Sequence, residues 1–227
     1  MQKVRVALIG LGNVGKAFLQ LMTEKETLLQ KQYGLSLVLT AVADSSGGLI
    51  DGRGIAPAAL LSHKQGGRGV AAFDGGQAGL PSPDVVAQAP ADLMLEASPV
   101  NLQTGQPGLD CVRTAIGRGM GVVLANKGPL VHDYAGLSAA ARAAGVGFAF
   151  SATVCGALPV VNIGQRDLAG CDIRSVMVRL DPRLEIVEHI GQGVADRGNP
   201  CLLHRRDRIQ ARCYDQSTAS GGDIHLE

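Results

Sequence analysis

The segment from Val122 to Leu130 contains the residue types best suited to chemistry. Its first residues are apolar and predict a short buried strand, and Ala125-Asn-Lys-Gly-Pro-Leu130 follows as a polar loop that presents Lys127 just before a helix. A buried strand fixes the loop that leaves it, so this is a suitable place for a reactive lysine. Taken alone, the pattern fits a surface lysine in an ordinary turn better, and the rest of the sequence must decide.

A second candidate site is the glycine pattern Gly10-Leu-Gly-Asn-Val-Gly15, which follows the apolar run Val4–Ile9 and precedes a helical pattern. Between a buried strand and an amphipathic helix, this spacing is typical of a dinucleotide-binding turn. Gly10 permits the tight turn, and Gly12 lets a pyrophosphate approach the N-terminus of the helix. Gly15 lets the helix pack closely against the strand.

Asp44 ends the second apolar strand, Leu35–Ala43, and is placed to bind the hydroxyls of an adenosine ribose. It comes later than the usual ~20 residues after the glycines, because the helix between them is long. A carboxylate at this position repels a 2′-phosphate and so favours NAD over NADP. Ser45, Ser46 and Arg53 nevertheless leave NADP open.

Strand and helix patterns alternate along the chain and must position these loops. Further strands are predicted at Asp92–Ala97, from Val122 and at Val146–Phe150, and further helices at Gly108–Arg118 and Asp133–Ala144. This alternation predicts an α/β fold with a doubly wound, mostly parallel sheet of the Rossmann type.

Two details of these elements can also be predicted. One long helix should end at Gly34 and carry an apolar face, formed by Val14, Phe18, Leu21, Met22, Leu28 and Leu29. Residues 45–90 are rich in glycine and proline, with a short helical pattern at Pro57–Lys64, and predict an irregular excursion at the edge of the sheet without a chemical role.

Composition excludes several classes of partner. The 227 residues are 46% hydrophobic and 18% charged with a net charge of +1, which indicates a globular protein and favours neither nucleic acid nor a membrane surface. Five scattered cysteines without a Cys-x-x-Cys pair predict reduced thiols in a cytoplasmic protein. No targeting segment or membrane span is predicted.

Several loops together resemble the homoserine dehydrogenase family. The resemblance covers residues 1 to about 173 and rests on five segments, namely Gly10–Gly15, Ser98-Pro99 with Thr104–Pro107, Ala125–Leu130, Ala152–Pro159 and Asn162–Gly170. It implies an enzyme that interconverts L-aspartate 4-semialdehyde and L-homoserine with NAD or NADP, on the route to threonine, methionine and isoleucine.

The resemblance also implies roles for individual residues. Asn13 and Val14 would contact the cofactor, and Ser98, Pro99 and Asn126 would line its nicotinamide. Lys127 matches the family lysine beside nicotinamide and substrate, where it would transfer a proton. Because a free lysine has a pKa near ~10.4, its surroundings must lower that pKa.

The family places a monovalent cation, typically sodium, in the loop after the fifth predicted parallel strand. The corresponding ligands would be the backbone carbonyls of Val154, Gly156 and Leu158. Ser151 and Cys155 depart from the family pattern in this loop.

The family pattern is lost after about residue 173. We therefore expect a dinucleotide-binding domain at 1–150 and an incomplete start of a substrate and dimerisation domain at 151–190. We expect a divergent tail at 191–227, for which disorder is one of the alternatives. Two strands are predicted between 174 and 190. The chain could be a truncated or frame-shifted enzyme, a variant with a reduced substrate domain, or a dinucleotide-binding module without activity. A homodimer is possible.

Overall fold

The computed structural model describes residues 1–153, 162–167, 211–213 and 222–224. Contacts divide the chain into two compact units, Met1–Gly156 and Ala157–Glu227. In chain order, the helices and strands of the first unit are β1 (Gln2–Ile9), α1 (Asn13–Glu24), α2 (Glu26–Tyr33), β2 (Leu35–Asp44), β3 (Gly47–Ile50), α3 (Pro57–Gln65), β4 (Gln77–Ala78), α4 (Ser82–Gln88), β5 (Leu93–Glu96), α5 (Gly108–Gly117), β6 (Gly121–Leu124), α6 (Gly128–Ala143) and β7 (Phe148–Ala149). Two 3-10 turns, Val70–Ala72 and Ser151–Thr153, complete this unit.

The strands of the first unit form one sheet in the order β4-β3-β2-β1-β5-β6-β7. Five neighbouring strands, β2, β1, β5, β6 and β7, are parallel to one another. At the β2 edge, β3 and β4 add antiparallel pairs. The chain leaves β2 on one side of β1 and returns as β5 on the other, so the crevice between the carboxyl ends of β1 and β5 is where such sheets bind ligands. The predicted Rossmann-type sheet is confirmed.

Each face of the sheet carries an apolar core. On one face, Met94, Val122 and Leu124 pack with residues of α4, α5 and α6. On the other face, Leu8 and Val42 pack with residues of α1 and α3. Because helices cover both faces, the central strands are mainly apolar and hold the loops at their carboxyl ends in fixed positions.

The helix predicted as one element is in fact two, because the backbone leaves helical geometry at Lys25 (φ −101°, ψ 5°). The residues that α1 buries are Gly15, Leu19 and Met22. The predicted apolar face was wrong for three residues that are about half exposed, namely Val14 (52%), Leu21 (49%) and Leu28 (48%). The buried stripe has the same i, i+4, i+7 spacing but begins one residue later, at Gly15. Gly34 ends α2 with φ 66°, as predicted.

Residues 45–90 lie at the predicted edge of the sheet but are more regular than expected. β3 pairs with β2 from Asp44 opposite Gly47, and β4 pairs with β3. The helical pattern predicted from Pro57 is α3. This excursion also surrounds Asp44, which its sequence pattern does not indicate.

The second unit is described only in short pieces. Ile163–Asp167 forms a π-helical turn, and β8 (Ala211–Cys213) pairs antiparallel with β9 (Gly222–Ile224). The strands predicted between 174 and 190 lie outside the described residues. None of the described helices is long and apolar enough to cross a membrane.

Candidate active site

Gly10 brings the loop after β1 against the loop after β5. It has φ 93°, and a Cβ added to it would lie 2.4 Å from the carbonyl group of Ala97 and from the nitrogen of Ser98. The Ala97 N–H donates to the Ile9 carbonyl at 2.7 Å, which fixes the two loops side by side. Only a residue without a Cβ fits here, so the role predicted for Gly10 as the turn residue agrees with the geometry.

The remaining glycines of the turn shape the N-terminus of α1. A Cβ on Gly15 would lie 2.2 Å from the Gly10 carbonyl oxygen, so α1 packs directly on the turn. Gly12, the N-cap residue, has no atom within 4 Å of the position that its Cβ would occupy. Asn13 and Val14 follow it and are exposed.

No side chain of the described residues caps α1, and its first turn carries no acidic residue. The first N–H groups of a helix have no partner within the helix, and their dipole favours an anion. Open space beside Gly12 and uncapped N–H groups are what a dinucleotide pyrophosphate requires, so this turn fits the predicted cofactor.

Asp44 lies at the end of β2 with its carboxylate already engaged by protein donors. Oδ1 accepts hydrogen bonds from the Ser46 backbone N–H at 2.8 Å and from the Ser46 hydroxyl at 2.5 Å. Oδ2 accepts one from the Val70 N–H at 3.2 Å and forms an ion pair with Lys64. The predicted ribose contact therefore requires some of these donors to release Asp44.

These donors also set the ionisation of Asp44. Burial alone would raise the pKa of its carboxyl group, but the hydrogen bonds from Lys64, Ser46 and Val70 outweigh burial and hold the pKa below its ordinary value. Asp44 is therefore ionised at neutral pH, with its charge balanced by Lys64.

The loops after β5 and β6 meet through Asn126, whose side chain is buried at 2% exposure. Its Oδ1 accepts the Gly128 N–H at 2.9 Å at the beginning of α6, and its Nδ2 donates to the Ser98 hydroxyl at 3.2 Å. Because Gly128 supplies a donor, the amide must present its oxygen there and its nitrogen to Ser98. Two of the predicted cofactor-lining residues are thus joined, and the third, Pro99, is exposed beside Ser98.

Lys127 is the residue immediately before α6, and it is exposed. It lies between Asn126 and Gly128, so the hydrogen bond that joins these two residues fixes the backbone on both sides of the lysine. The side chain can reach solvent at the carboxyl edge of the sheet, as a proton-transferring group must.

Glu96, the last residue of β5, was not singled out by the sequence analysis. Its side chain is fully buried, and its Oε1 accepts the Ser98 N–H at 3.0 Å. Burial raises the pKa of the Glu96 carboxyl group, and the nearby Ser98 and Asn126 groups only partly offset this effect. The available signal was one acidic residue at the end of an otherwise apolar strand.

The three predicted cation ligands Val154, Gly156 and Leu158 lie outside the described residues, and their role stays a prediction.

Comparison with known proteins places this geometry in a family context. Residues 1–102 match the sequence profile of the glutamate/leucine/phenylalanine/valine dehydrogenases, a segment that includes the glycine turn and Ser98. A homoserine dehydrogenase of Methanocaldococcus jannaschii is 32% identical over 171 residues, which are 75% of this chain and 51% of that protein. An NAD(+)-dependent homoserine dehydrogenase of Pseudomonas canavaninivorans is 32% identical over 174 residues, 76% of this chain and 49% of that protein.

Solved structures agree. A crystal structure from Archaeoglobus fulgidus, provisionally named a homoserine dehydrogenase, is 32% identical with a TM-score of 0.66 and covers 77% of this chain and 50% of that one. An archaeal homoserine dehydrogenase in complex with NADPH shares the fold at 20% identity, with a TM-score of 0.67 over 78% of this chain and 52% of that one.

The chain spans about half the length of the curated relatives that it matches most clearly. The resemblance to homoserine dehydrogenases is confirmed: over three quarters of its length, the chain is homologous to proteins that carry this name.

Proposed function

We propose that the chain binds NAD(P) across the carboxyl ends of β1, β5 and β6 and acts as a homoserine dehydrogenase. The observation that carries this proposal is the hydrogen-bonded link from Ser98 through Asn126 to Gly128, which holds Lys127 at the same edge as the glycine turn. Relatives that match over this region are named homoserine dehydrogenases, and one name specifies NAD(+).

Each part of the cofactor has a candidate partner in this arrangement. The N–H groups that follow Gly12 at Asn13 and Val14 would hold the pyrophosphate, with Gly10 and Gly15 shaping the turn. Asp44 lies where a ribose is expected, and Ser98, Pro99 and Asn126 would line the nicotinamide. When bound, the nicotinamide supplies hydride to the aldehyde carbon or accepts it from the alcohol carbon.

Lys127 would complete the reaction at the substrate oxygen. In reduction, its ammonium group donates the proton that converts the aldehyde oxygen to a hydroxyl group as hydride reaches carbon; in oxidation, its amine takes that proton back.

The cofactor preference follows from Asp44 and Lys64. An ionised Asp44 disfavours a 2′-phosphate, but its charge is already balanced by Lys64, which itself can attract a phosphate. We propose that NAD is preferred when Asp44 is released to the ribose, and that NADP is accepted while the ion pair persists.

The test is the initial rate of NAD(P)H formation from L-homoserine, measured with NAD and NADP separately. We expect turnover that Lys127→Ala abolishes while cofactor affinity is nearly unchanged, and that Lys31→Ala, an exposed lysine of α2, leaves intact. If the unmodified chain binds the cofactor without turnover, the result would support a dinucleotide-binding module without activity and contradict the proposed enzyme activity.

Finer assignments extend the proposal. They are a role in threonine and methionine biosynthesis, a cytoplasmic location, a homodimer, a substrate domain that begins near residue 151, and a sodium ion on the carbonyls of Val154, Gly156 and Leu158. Sodium dependence of the rate, compared with lithium or choline at equal ionic strength, tests the last of these.

A further inference from the structure

We propose that Glu96 is a positioning residue for the proposed reaction, because its buried carboxyl group clamps the loop after β5 to the loop that carries Lys127. The inference rests on the proposed function for its kinetic consequence, but the clamp itself can be tested without turnover.

The position of Glu96 explains how it reaches both loops. It ends β5 between its parallel neighbours β1 and β6, opposite Ile9 and Leu124. Its Oε1 accepts the Ser98 N–H at 3.0 Å, so the carboxyl group holds the first residues of the loop that follows its own strand.

The Glu96 carboxyl group comes close to the loop that carries Lys127 at a point beside Gly108, the first residue of α5. A Cβ on Gly108 would lie 2.9 Å from Asn126 Nδ2 and 3.2 Å from Glu96 Oε2. The carboxyl oxygen and the amide nitrogen therefore approach the same point. One hydrogen of the amide is directed to the Ser98 hydroxyl, and the other remains for the carboxyl group.

Packing alone does not account for this residue. Oε2 is buried with no hydrogen-bond partner among the described residues, and such an atom carries a desolvation cost that an apolar side chain would avoid. The other residues of β5 are apolar, so the sheet does not require a carboxyl group here. A carboxyl group is suited to accept hydrogen bonds from two nearby donors, the Ser98 N–H and the Asn126 amide.

The effect on chemistry passes through Asn126. That residue fixes the Gly128 N–H at the beginning of α6, and Lys127 is the residue between them. If the carboxyl group no longer orients the Asn126 amide, the lysine is displaced relative to the nicotinamide pocket. A displacement of about 1 Å in an active site can reduce the rate ~100-fold.

The first experiment is an NMR titration of the full chain. The charged or titratable groups on α5 and α6 are Asp110, Cys111, Arg113, His132, Asp133, Tyr134 and Arg142, and Lys127 immediately precedes α6; β1 contributes Lys3 and Arg5 at its opposite end. Burial raises the pKa of the Cys111 thiol to about 12, and Asp110→Asn, His132→Gln and Asp133→Asn remove the carboxyl and imidazole groups of these helices as alternative sources of the signal. We expect the Ser98 backbone amide and the Asn126 side-chain amide to titrate together, with a midpoint above the ordinary glutamate value.

Glu96→Gln should abolish this common titration, and Glu24→Gln, an exposed carboxyl group on α1, should preserve it. The glutamine keeps an acceptor for the Ser98 N–H, so the fold should persist. Absence of a common titration in the unmodified chain, or its survival in Glu96→Gln, would overturn the clamp whether or not the protein is an enzyme.

The kinetic readout then separates positioning from cofactor binding. We expect Glu96→Gln to lower kcat at least ~10-fold while the Kd for NAD(P) stays within about twofold. An unchanged kcat in an active protein would overturn the positioning role. If the unmodified chain shows no turnover, the proposed function fails, and the titration alone decides the clamp.

Discussion

Asp44 at the end of β2 and Lys64 in α3 form an ion pair that ties the sheet to the excursion at its edge, with side chains 6% and 22% exposed. The pair occupies the place where a Rossmann-type site meets the adenosine ribose. The group proposed to select the cofactor is therefore also a structural contact, and changing one partner should affect both properties.

Lys64→Met should shift the cofactor preference toward NAD. It leaves the Asp44 carboxylate without its counter-ion, so a 2′-phosphate is repelled more strongly while ribose hydroxyls gain a free acceptor. Stability should fall by about 1–3 kcal/mol, because a buried charge loses its partner. The measurements are Kd values for NAD and NADP and urea unfolding, with the exposed Lys31→Met as control; an unchanged Kd ratio would contradict the prediction.

Asp44 should also make the first unit sensitive to acid. Its folded pKa lies below its ordinary value, so its contribution to stability is present above that ordinary value, near 3.8, and is lost as the pH falls through the folded pKa. The free energy of unfolding of the unmodified protein should therefore exceed that of Asp44→Asn at pH 6, and the difference should shrink below about pH 4. A pH-independent difference would mean that the charge is not involved.

Substitutions of the turn glycines should distinguish effects on folding from effects on NAD(P) binding. Gly12→Ala places a methyl group in open space beside the uncapped N–H groups of α1, so it should preserve stability and weaken NAD(P) binding. Gly10→Ala, at φ 93° and 2.4 Å from the Ala97 backbone, should prevent the unit from folding normally. Gly117→Ala, which meets no atom within 4 Å on α5, is the matched control. Thermal unfolding and titration of NADH fluorescence distinguish the variants.

Much of this fold could be predicted because periodicity and glycine spacing are local signals. The apolar runs of β1 and β2, the turn at Gly10 and the end of α2 at Gly34 all depend on residues within a few positions of one another. The loop with Lys127 could be predicted in the same way, since an apolar strand leads directly into it.

The contacts that give these residues their environment are long-range and were not predicted. Asp44 is 20 residues from Lys64 and 26 from Val70, and Asn126 is 28 residues from Ser98. No spacing rule indicates such partners, because they depend on how the sheet is wound. The predicted apolar face was wrong for a different reason, because the side of α1 that is buried depends on how the helix packs on the sheet. That packing leaves Val14 and Leu21 exposed, and the break at Lys25 places Leu28 in a separate helix.

Asn126→Ala should lower the free energy of unfolding more than Ser98→Ala does, although the two residues share a hydrogen bond. Removing the Asn126 side chain leaves the buried Gly128 N–H without an acceptor, a loss of about 1–3 kcal/mol, whereas the serine change removes only one weaker bond. Turnover should also fall more in Asn126→Ala, since Lys127 adjoins the unpaired group. Urea unfolding and kcat measure both effects, and equal losses in the two variants would show that Gly128 finds another acceptor.

Glu96→Gln should reveal the cost of the buried carboxyl group through its pH dependence. Burial raises the folded pKa of Glu96 above its unfolded value, so the stability linked to its protonated form is fully present below the unfolded pKa, near 4.5, and is lost as the pH rises through the folded pKa. The free energy of unfolding of the unmodified protein should therefore decline relative to Glu96→Gln as the pH rises above about 4.5.

The contribution of Asp44 to stability changes with pH in the opposite direction over part of the acid range. The comparison is therefore made between Glu96→Gln and the unmodified protein, because Asp44 is present in both. We expect Glu96→Gln to become more stable relative to the unmodified protein as the pH rises, while its kcat is reduced. This combination would indicate that the Glu96 carboxyl group lowers stability but positions Lys127. A relative stability that does not change with pH would mean that Glu96 keeps the same protonation state in the folded and unfolded chains, and the desolvation argument for its role would fail.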